Sequence, residues 1–450
     1  MTKIPLDYVI SASSRLRLYD SRILERYKDE VIPRVVECMN FTRRHLKENC
    51  KYTDPTISVL YNGFIENEYP KYYKKLNNLG CDYIYADSGG LQIVTLGKTV
   101  TPEIKQKIYG YQEYADFAMC FDEIPLERVT KNRNSVERVV TDNKLFNTDR
   151  LEESAKLTGQ NIRQQIEHFQ TVGAKTKVML IAQGNCAEDM VEFFNGIMSQ
   201  LLPKHLDSVA GLAVADTCMG NGPAESVEML KAARLIGKVA PEQVTNQLHF
   251  LGVGSINRMR PIVYLLRSGY LNSYRHISYD SSTISSTYDF GKIVLDEEMI
   301  YLGMTKTREA VTYFSKVYEF YGSIYKNLVD LDTFLTMVFG NDEDPEEKNI
   351  QSWKNSAITQ RVDRDTDANK CIAALLARPS YLYYQMGNFI QNVDNVFKEK
   401  RGSFDNLAIS SLMGVTDDET MQKWERNHGK HMKSKRIKRK ENITTLGDIF

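Results

Sequence analysis

Tyr83-Ile84-Tyr85-Ala86-Asp87-Ser88-Gly89-Gly90-Leu91-Gln92 is an apolar run that ends on a carboxylate with two glycines just behind it. The first half has the length and composition of a buried strand, so Asp87 stands where that strand leaves the core for solvent. Gly89 and Gly90 let the chain turn sharply and let a ligand approach bare backbone. Taken alone, Asp87 is also an ordinary cap for the helix that follows a strand. A second stretch of the same shape lies far downstream, Ile277-Ser278-Tyr279-Asp280-Ser281-Ser282. Two carboxylates at two strand ends suit chemistry at a glycosidic bond, where one acts as nucleophile and the other moves protons.

Outward from Asp87, short β-rich runs alternate with longer amphipathic ones. Strands are expected near Tyr8–Ala12, Thr56–Tyr61, Tyr83–Ala86, Phe117–Phe121, Lys177–Ala182, Ser208–Val214, His249–Val253 and His276–Tyr279. Helices are expected over Arg15–Lys47, Pro102–Tyr114, Glu152–Thr171, Ala187–Leu202, Pro223–Val239 and Pro261–Ser268, the last opened by Pro261 and stopped by Gly269. Strand–helix alternation implies a parallel sheet, and eight repeats are the number that closes an α/β (β/α)8 TIM-type barrel. A doubly wound open sheet is the alternative. The chemically suggestive residues all fall at C-terminal strand ends: Asp87, Asp122-Glu123, Gln183-Gly184, Gly211-Leu212-Ala213-Val214, Gly252-Val253-Gly254 and Asp280. In a barrel these ends converge on one mouth.

The text changes after Asp296. Lys306–Leu328 reads as a helix rich in Tyr and Phe, Asn341–Lys348 as an acidic loop, and Asp367–Leu376, Pro379–Phe397 and Asp417–Glu425 as further helices. The expected organisation is a barrel over 1–295, a helical appendage over 296–425 and a basic arm over 426–450. Of the 450 residues, 42% are hydrophobic and 26% charged, as in globular proteins. No apolar run approaches the roughly 18 residues of a membrane span, and the N-terminus lacks a signal-peptide core, so no membrane and a cytoplasmic location are expected. The seven cysteines are scattered, with no pair spaced C-x-x-C, which indicates neither a disulfide framework nor a local zinc site. Between Lys423 and Lys440 lie nine Lys/Arg and one Glu, so the rest of the chain carries 49 basic and 57 acidic residues. An acidic body thus ends in a basic arm. That arm is either a solvated tail or a sequence-independent phosphate contact through Lys433, Lys435, Arg436, Lys438, Arg439 and Lys440.

Six motifs in order, Asp87-Ser88-Gly89-Gly90-x-Gln92, Phe121-Asp122-Glu123, Gln183-Gly184, Gly211-Leu212-Ala213-Val214, Gly252-Val253-Gly254 and Asp280, resemble the tRNA-guanine transglycosylase superfamily from Tyr8 to Ser282. Such enzymes are (β/α)8 barrels that exchange a guanine in a polynucleotide for a 7-deazaguanine. The resemblance implies Asp280 as nucleophile on C1′ and Asp87 as general acid/base. It implies Asp122, Gln183, Ser88, Gly89, Gly211, Leu212 and Gly254 as groups around the base. No redox cofactor is expected, and no metal, since the cysteine pattern offers no zinc site. The chemistry fits, because adjacent ring N–H and amine donors match one carboxylate, and a covalent glycosyl-enzyme splits the exchange into two displacements.

The chain also departs from the tRNA enzymes. They carry a C-x-C-x-x-C zinc cluster with a later His after the nucleophile, whereas only Cys371 follows Asp280 here. Ser281–Ser286 stands where they have Pro-Thr-Arg, and Leu91 stands for an aromatic. This combination resembles the DNA-modifying branch found in phages and bacteria, which inserts a 7-deazaguanine such as preQ0 into DNA. The expected partners are DNA, the free deazaguanine base and proteins that open the duplex. A zinc-free enzyme acting on tRNA, or a nucleic-acid-binding barrel without activity, are the alternatives.

Overall fold

Eight strands, all parallel and hydrogen-bonded in chain order, close into a barrel: β1 (Ile4–Ser11), β2 (Thr53–Asn62), β3 (Ile84–Asp87), β4 (Phe117–Met119), β5 (Lys177–Gly184), β6 (Val209–Asp216), β7 (Gln247–Phe250) and β8 (His276–Ser281). The computed structural model describes residues 3–11, 22–62, 80–90, 100–131, 140–146, 148–184, 186–216, 223–267, 269–281, 284, 292–295, 298–301, 307–341 and 355–398. Closure through β1 and β8, paired from Leu6↔Ile277 to Ile10↔Ser281, excludes the open doubly wound sheet. The chain is a (β/α)8 TIM barrel with a C-terminal helical region. No helix among the described residues is long and apolar enough to cross a membrane.

The helices are α1 (Arg22–Asn49), α2 (Pro102–Gln112), α3 (Leu151–Val172), α4 (Ala187–Met198), α5 (Pro223–Gly237), α6 (Ile256–Arg267), α7 (Arg308–Phe320), α8 (Leu331–Phe339), α9 (Asn355–Arg364) and α10 (Ala368–Val396). Their ends follow local chemistry. Thr101 caps α2 by accepting from the Ile104 N–H, with Pro102 at the first position, and Gly173 ends α3 at φ 70°. Two antiparallel hairpins, Leu126–Lys131 with Val140–Phe146 and Lys292–Leu295 with Glu298–Tyr301, were not expected.

Prolines mark where the sequence reading misplaced helices. Pro261 lies inside α6, which starts at Ile256, and Pro379 lies inside α10, which runs unbroken where two helices were expected. Proline forfeits one hydrogen bond, and packing on both sides outweighs that loss. Around Pro379 the helix is buried, and the Ser380 hydroxyl donates to the carbonyls of Leu376 and Ala377. The α8 and α9 helices were also missed. The expected helix at 417–425, the acidic loop from 342 onward and the whole basic arm lie outside the described residues.

α10 packs against both α1 and α6. It therefore occupies the eighth helix position of the barrel, delivered after the long excursion that follows β8. The Tyr and Phe of Lys306–Leu328 form the core beneath it: Phe314 stacks on Tyr381 with centroids 5.6 Å apart, and Tyr318 on Tyr325 at 5.6 Å. At the end of α10 the buried Asp394 carboxylate accepts from the N–H groups of Lys51, Tyr52 and Thr53 and from the Thr53 hydroxyl, all within 2.9 Å. This pins the C-terminal segment to the turn between α1 and β2. Replacing Asp394 by Ala strands three backbone donors and is expected to cost about 3–5 kcal/mol. Denaturant unfolding of the variant checks this, and a loss under about 1 kcal/mol would show that the clamp is not needed.

Candidate active site

In strands of a barrel, alternate residues face the bore. Register places Asp7, Ser58, Tyr85, Asp87, Gln183, Gln247, His249, Ser278 and Asp280 at inward positions, and their mutual hydrogen bonds agree. Asp87 ends β3, Gln183 lies near the end of β5 and Asp280 near the end of β8, so all three reach the same C-terminal mouth. Asp122 follows three residues after β4. Inward positions on β6 are Gly211, Ala213 and Ala215, which leave this wall of the bore thin.

Asp87 remains partly exposed, and its carboxylate accepts from the backbone N–H groups of Ser88 and Gly89. Gly89 makes this curl possible, since its φ of 72° is one that side-chain-bearing residues rarely adopt. The Asn62 amide donates to Asp87 Oδ2 at 3.3 Å. Burial first, then the charges of Asp122 and Asp280, push Asp87 up to about 7. It is thus poised to give and take a proton near neutrality.

Asp122 is buried, and burial pushes it up to about 6, against hydrogen bonds from Gln183 and Ser88 that favour its ionised form. Gln183 Nε2 donates to Asp122 Oδ2 at 2.6 Å. A Cβ added at Gly90 would lie 3.0 Å from Asp122 Oδ1, so the loop after β3 runs directly over this carboxylate.

Asp280 is held by two donors on one oxygen: Oδ1 accepts from the Gly252 N–H at 2.9 Å and pairs with His249 Nε2 at 3.2 Å. Gly252 has φ 69°, which turns its N–H down onto Asp280, and Arg258 donates to the Gly252 carbonyl at 2.6 Å. Among the described residues Oδ2 takes no hydrogen bond. A carboxylate gripped by one oxygen has the other available for attack.

Not every expected residue is brought to this place. Gly211 and Leu212 lie on β6 well below the mouth. Gln183 pairs with Ala215, four residues further along, so Gly211 is roughly 13 Å down the strand. A Cβ at Gly211 would sit 2.3 Å from the Gln247 carbonyl oxygen, so this glycine serves the close approach of β6 and β7. Leu212 has the opposite parity and is fully buried in the core. Gly254 shares the loop of Gly252 without making its bonds. Glu123 turns away from the mouth: it accepts from Lys105 at 3.1 Å and from Asn161 at 3.2 Å, tying β4 to α2 and α3. Leu91, Gln92, Ser282 and the arm residues Lys433, Lys435, Arg436, Lys438, Arg439 and Lys440 lie outside the described residues.

His249, Ser278, Gln247 and Arg258 went unselected in the sequence. The available signal was polarity at inward positions of strands that a parallel barrel buries on both faces and fills with apolar residues. Among the described residues no group of three or more His, Cys, Asp or Glu is arranged to hold a metal ion. Compared with known proteins, the chain matches no family model and no curated protein.

Proposed function

We propose that this barrel is a base-exchange transglycosylase that replaces guanine in DNA with a 7-deazaguanine. The observation that carries the reading is the convergence of three differently held carboxylates at one mouth. Asp280 has one anchored and one available oxygen, Asp87 is pushed up to about 7, and Asp122 is paired with an amide. A simple hydrolase needs two carboxylates. The third, coupled to Gln183, supplies both acceptor and donor capacity, which is what a guanine-type edge with ring N–H, amine and carbonyl requires.

In this reading Asp280 Oδ2 attacks C1′, and the bond to guanine breaks as Asp87 protonates the leaving ring nitrogen. The incoming 7-deazaguanine gives its proton back to Asp87 and displaces Asp280, so the configuration at C1′ is retained. Asp122 accepts from the base's ring N–H and amine. Gln183, whose amide is bound to Asp122, turns an N–H toward the carbonyl when the base enters. The small Ala213 and Ala215 leave room beside it. The target base must leave its stack, at a cost of a few kcal/mol in duplex, which gives strand-opening partners a role. The basic arm adds salt-sensitive, sequence-independent affinity for phosphates.

The choice of DNA rests on the missing zinc cluster, which separates this chain from the tRNA enzymes it resembles. The test is release of labelled guanine from single-stranded DNA, duplex DNA or tRNA in the presence of a free 7-deazaguanine such as preQ0. Release from DNA and not from tRNA is expected. Release from tRNA alone would overturn the substrate, and binding without release from either polymer would leave a nucleic-acid-binding barrel.

A further inference from the structure

The bore beneath Asp280 is crossed by an unbroken polar chain. His249 Nδ1 lies 2.9 Å from Ser278 Oγ, and Gln247 Nε2 donates to the same Ser278 Oγ at 3.0 Å. Gln247 Nε2 also donates to the Tyr85 hydroxyl, which donates to Asp7 Oδ2 at 3.2 Å. Ser58 Oγ lies within 2.9 Å of both Asp7 oxygens. Asp7, Ser58, Ser278 and His249 are all fully buried, so each hydrogen in the chain needs an acceptor inside it.

Donor counts and the carboxylates at both ends give the bonds a consistent direction. The Gln247 amide nitrogen has two hydrogens and can only donate, so it points one at Tyr85 and the other at Ser278. Tyr85 passes its hydrogen to Asp7, which as a carboxylate only accepts. Ser278 accepts from Gln247 and lies against both His249 Nδ1 and the Tyr85 hydroxyl; its single hydrogen goes to Nδ1, because the other choice would leave a lone pair on His249 Nε2 facing Asp280 Oδ1. That leaves His249 with its proton on Nε2, aimed at Asp280 Oδ1. The amide at the centre donates both ways, toward a carboxylate at each end, and cannot pass a proton through. The chain is therefore a lock, not a conduit.

We propose that His249 is a positioning residue for Asp280. Ser278 and Gln247 hold its imidazole in the orientation that aims Nε2–H at Asp280, so that Oδ1 is fixed and Oδ2 is presented for attack. This inference rests on the proposed role of Asp280 for its kinetic consequence, but the state of the ring is independent of that role. With the opposite tautomer, a lone pair on Nε2 would face the Asp280 carboxylate and the grip would become repulsion. Outer partners that orient a metal-ligating histidine change activity by about 10- to 100-fold, and the same scale is expected for a histidine that orients a carboxylate.

Two measurements test it. Side-chain 15N spectra of the full-length protein at neutral pH, with the His249 signals identified by their loss in His249→Gln, should show Nε2 protonated and Nδ1 bare. A protonated Nδ1, in either the other tautomer or the imidazolium, overturns the proposal whatever the protein's activity. In guanine release, Ser278→Ala should lower kcat about 10- to 100-fold with little change in KM. His249→Gln should lower kcat less than His249→Ala does, because its amide N–H can replace Nε2–H and has no tautomer to lock. The Ser278→Ala loss should then vanish in the His249→Gln background. An equal loss in both backgrounds would mean that Ser278 acts on packing alone, and the proposal would fall. Absence of release by the wild type would count against the transglycosylase reading and leave the spectroscopic test standing.

Discussion

Asp280→Asn should release no labelled guanine, with turnover at least about 10⁴-fold below wild type, while the protein stays folded. Four powers of ten correspond to about 5.5 kcal/mol of barrier, the scale expected when a covalent path is removed outright. The substitution is nearly isosteric, and the amide oxygen can still accept from the Gly252 N–H and from His249. What disappears is the charge and the second oxygen. A buried carboxylate is also costly to keep, so its neutral replacement should leave the unfolding midpoint unchanged or slightly higher. Loss of activity therefore cannot be assigned to loss of fold. Wild-type protein given DNA without an incoming base should form a covalent adduct that survives denaturation, and the variant should form none. Turnover by Asp280→Asn within tenfold of wild type would remove Asp280 from the chemistry and with it the proposed reaction.

The barrel was legible because its period is strong: all eight strands fall where short apolar runs leave the helical pattern, and parallel closure follows from their number and alternation. The site was legible where chemistry sits at a strand end, as with Asp87, Asp122 and Asp280. It was not legible where function depends on which face a residue takes, and this requires the register. Gly211 looked like a ligand contact, but its missing side chain is used by the Gln247 backbone. His249 is expected at the start of its strand and is the third of four residues, and its inward aim beside Asp280 shows only in the register with the neighbouring strands. Glu123 next to Asp122 carried the same chemical promise, and only the positions of α2 and α3 show it committed to Lys105 and Asn161. Helix ends failed at proline, because Pro261 and Pro379 obey tertiary packing over local propensity. The eighth helix was hidden for a topological reason: α10 follows β8 only after the long excursion that separates them in sequence.

Asp87→Asn should slow guanine release by about 10²- to 10⁴-fold, the usual worth of a positioned proton donor, and should also erase one limb of the pH profile. Burial raises Asp87 to about 7, so its protonated fraction falls as pH rises through that value. Release needs the proton on Asp87, since the departing ring nitrogen must receive it, so single-turnover release should decline above about pH 7. Asp122, raised to about 6, must be ionised to accept the two N–H groups of the base, so release should also decline below about pH 6. The optimum of this half-reaction is then the narrow interval between the two. Capture of the incoming base has the opposite requirement at Asp87, which must be unprotonated to take the proton back, so capture should strengthen as pH rises through 7. A single carboxylate thus imposes limbs of opposite sign on the two halves of one exchange, measurable by quenching release and capture separately. In Asp87→Asn both limbs near pH 7 should vanish, while the Asp122 limb near 6 persists in whatever release remains. If the limb near 7 survives in that variant, another group carries the proton, and Asp87 is left as part of the wall around the base.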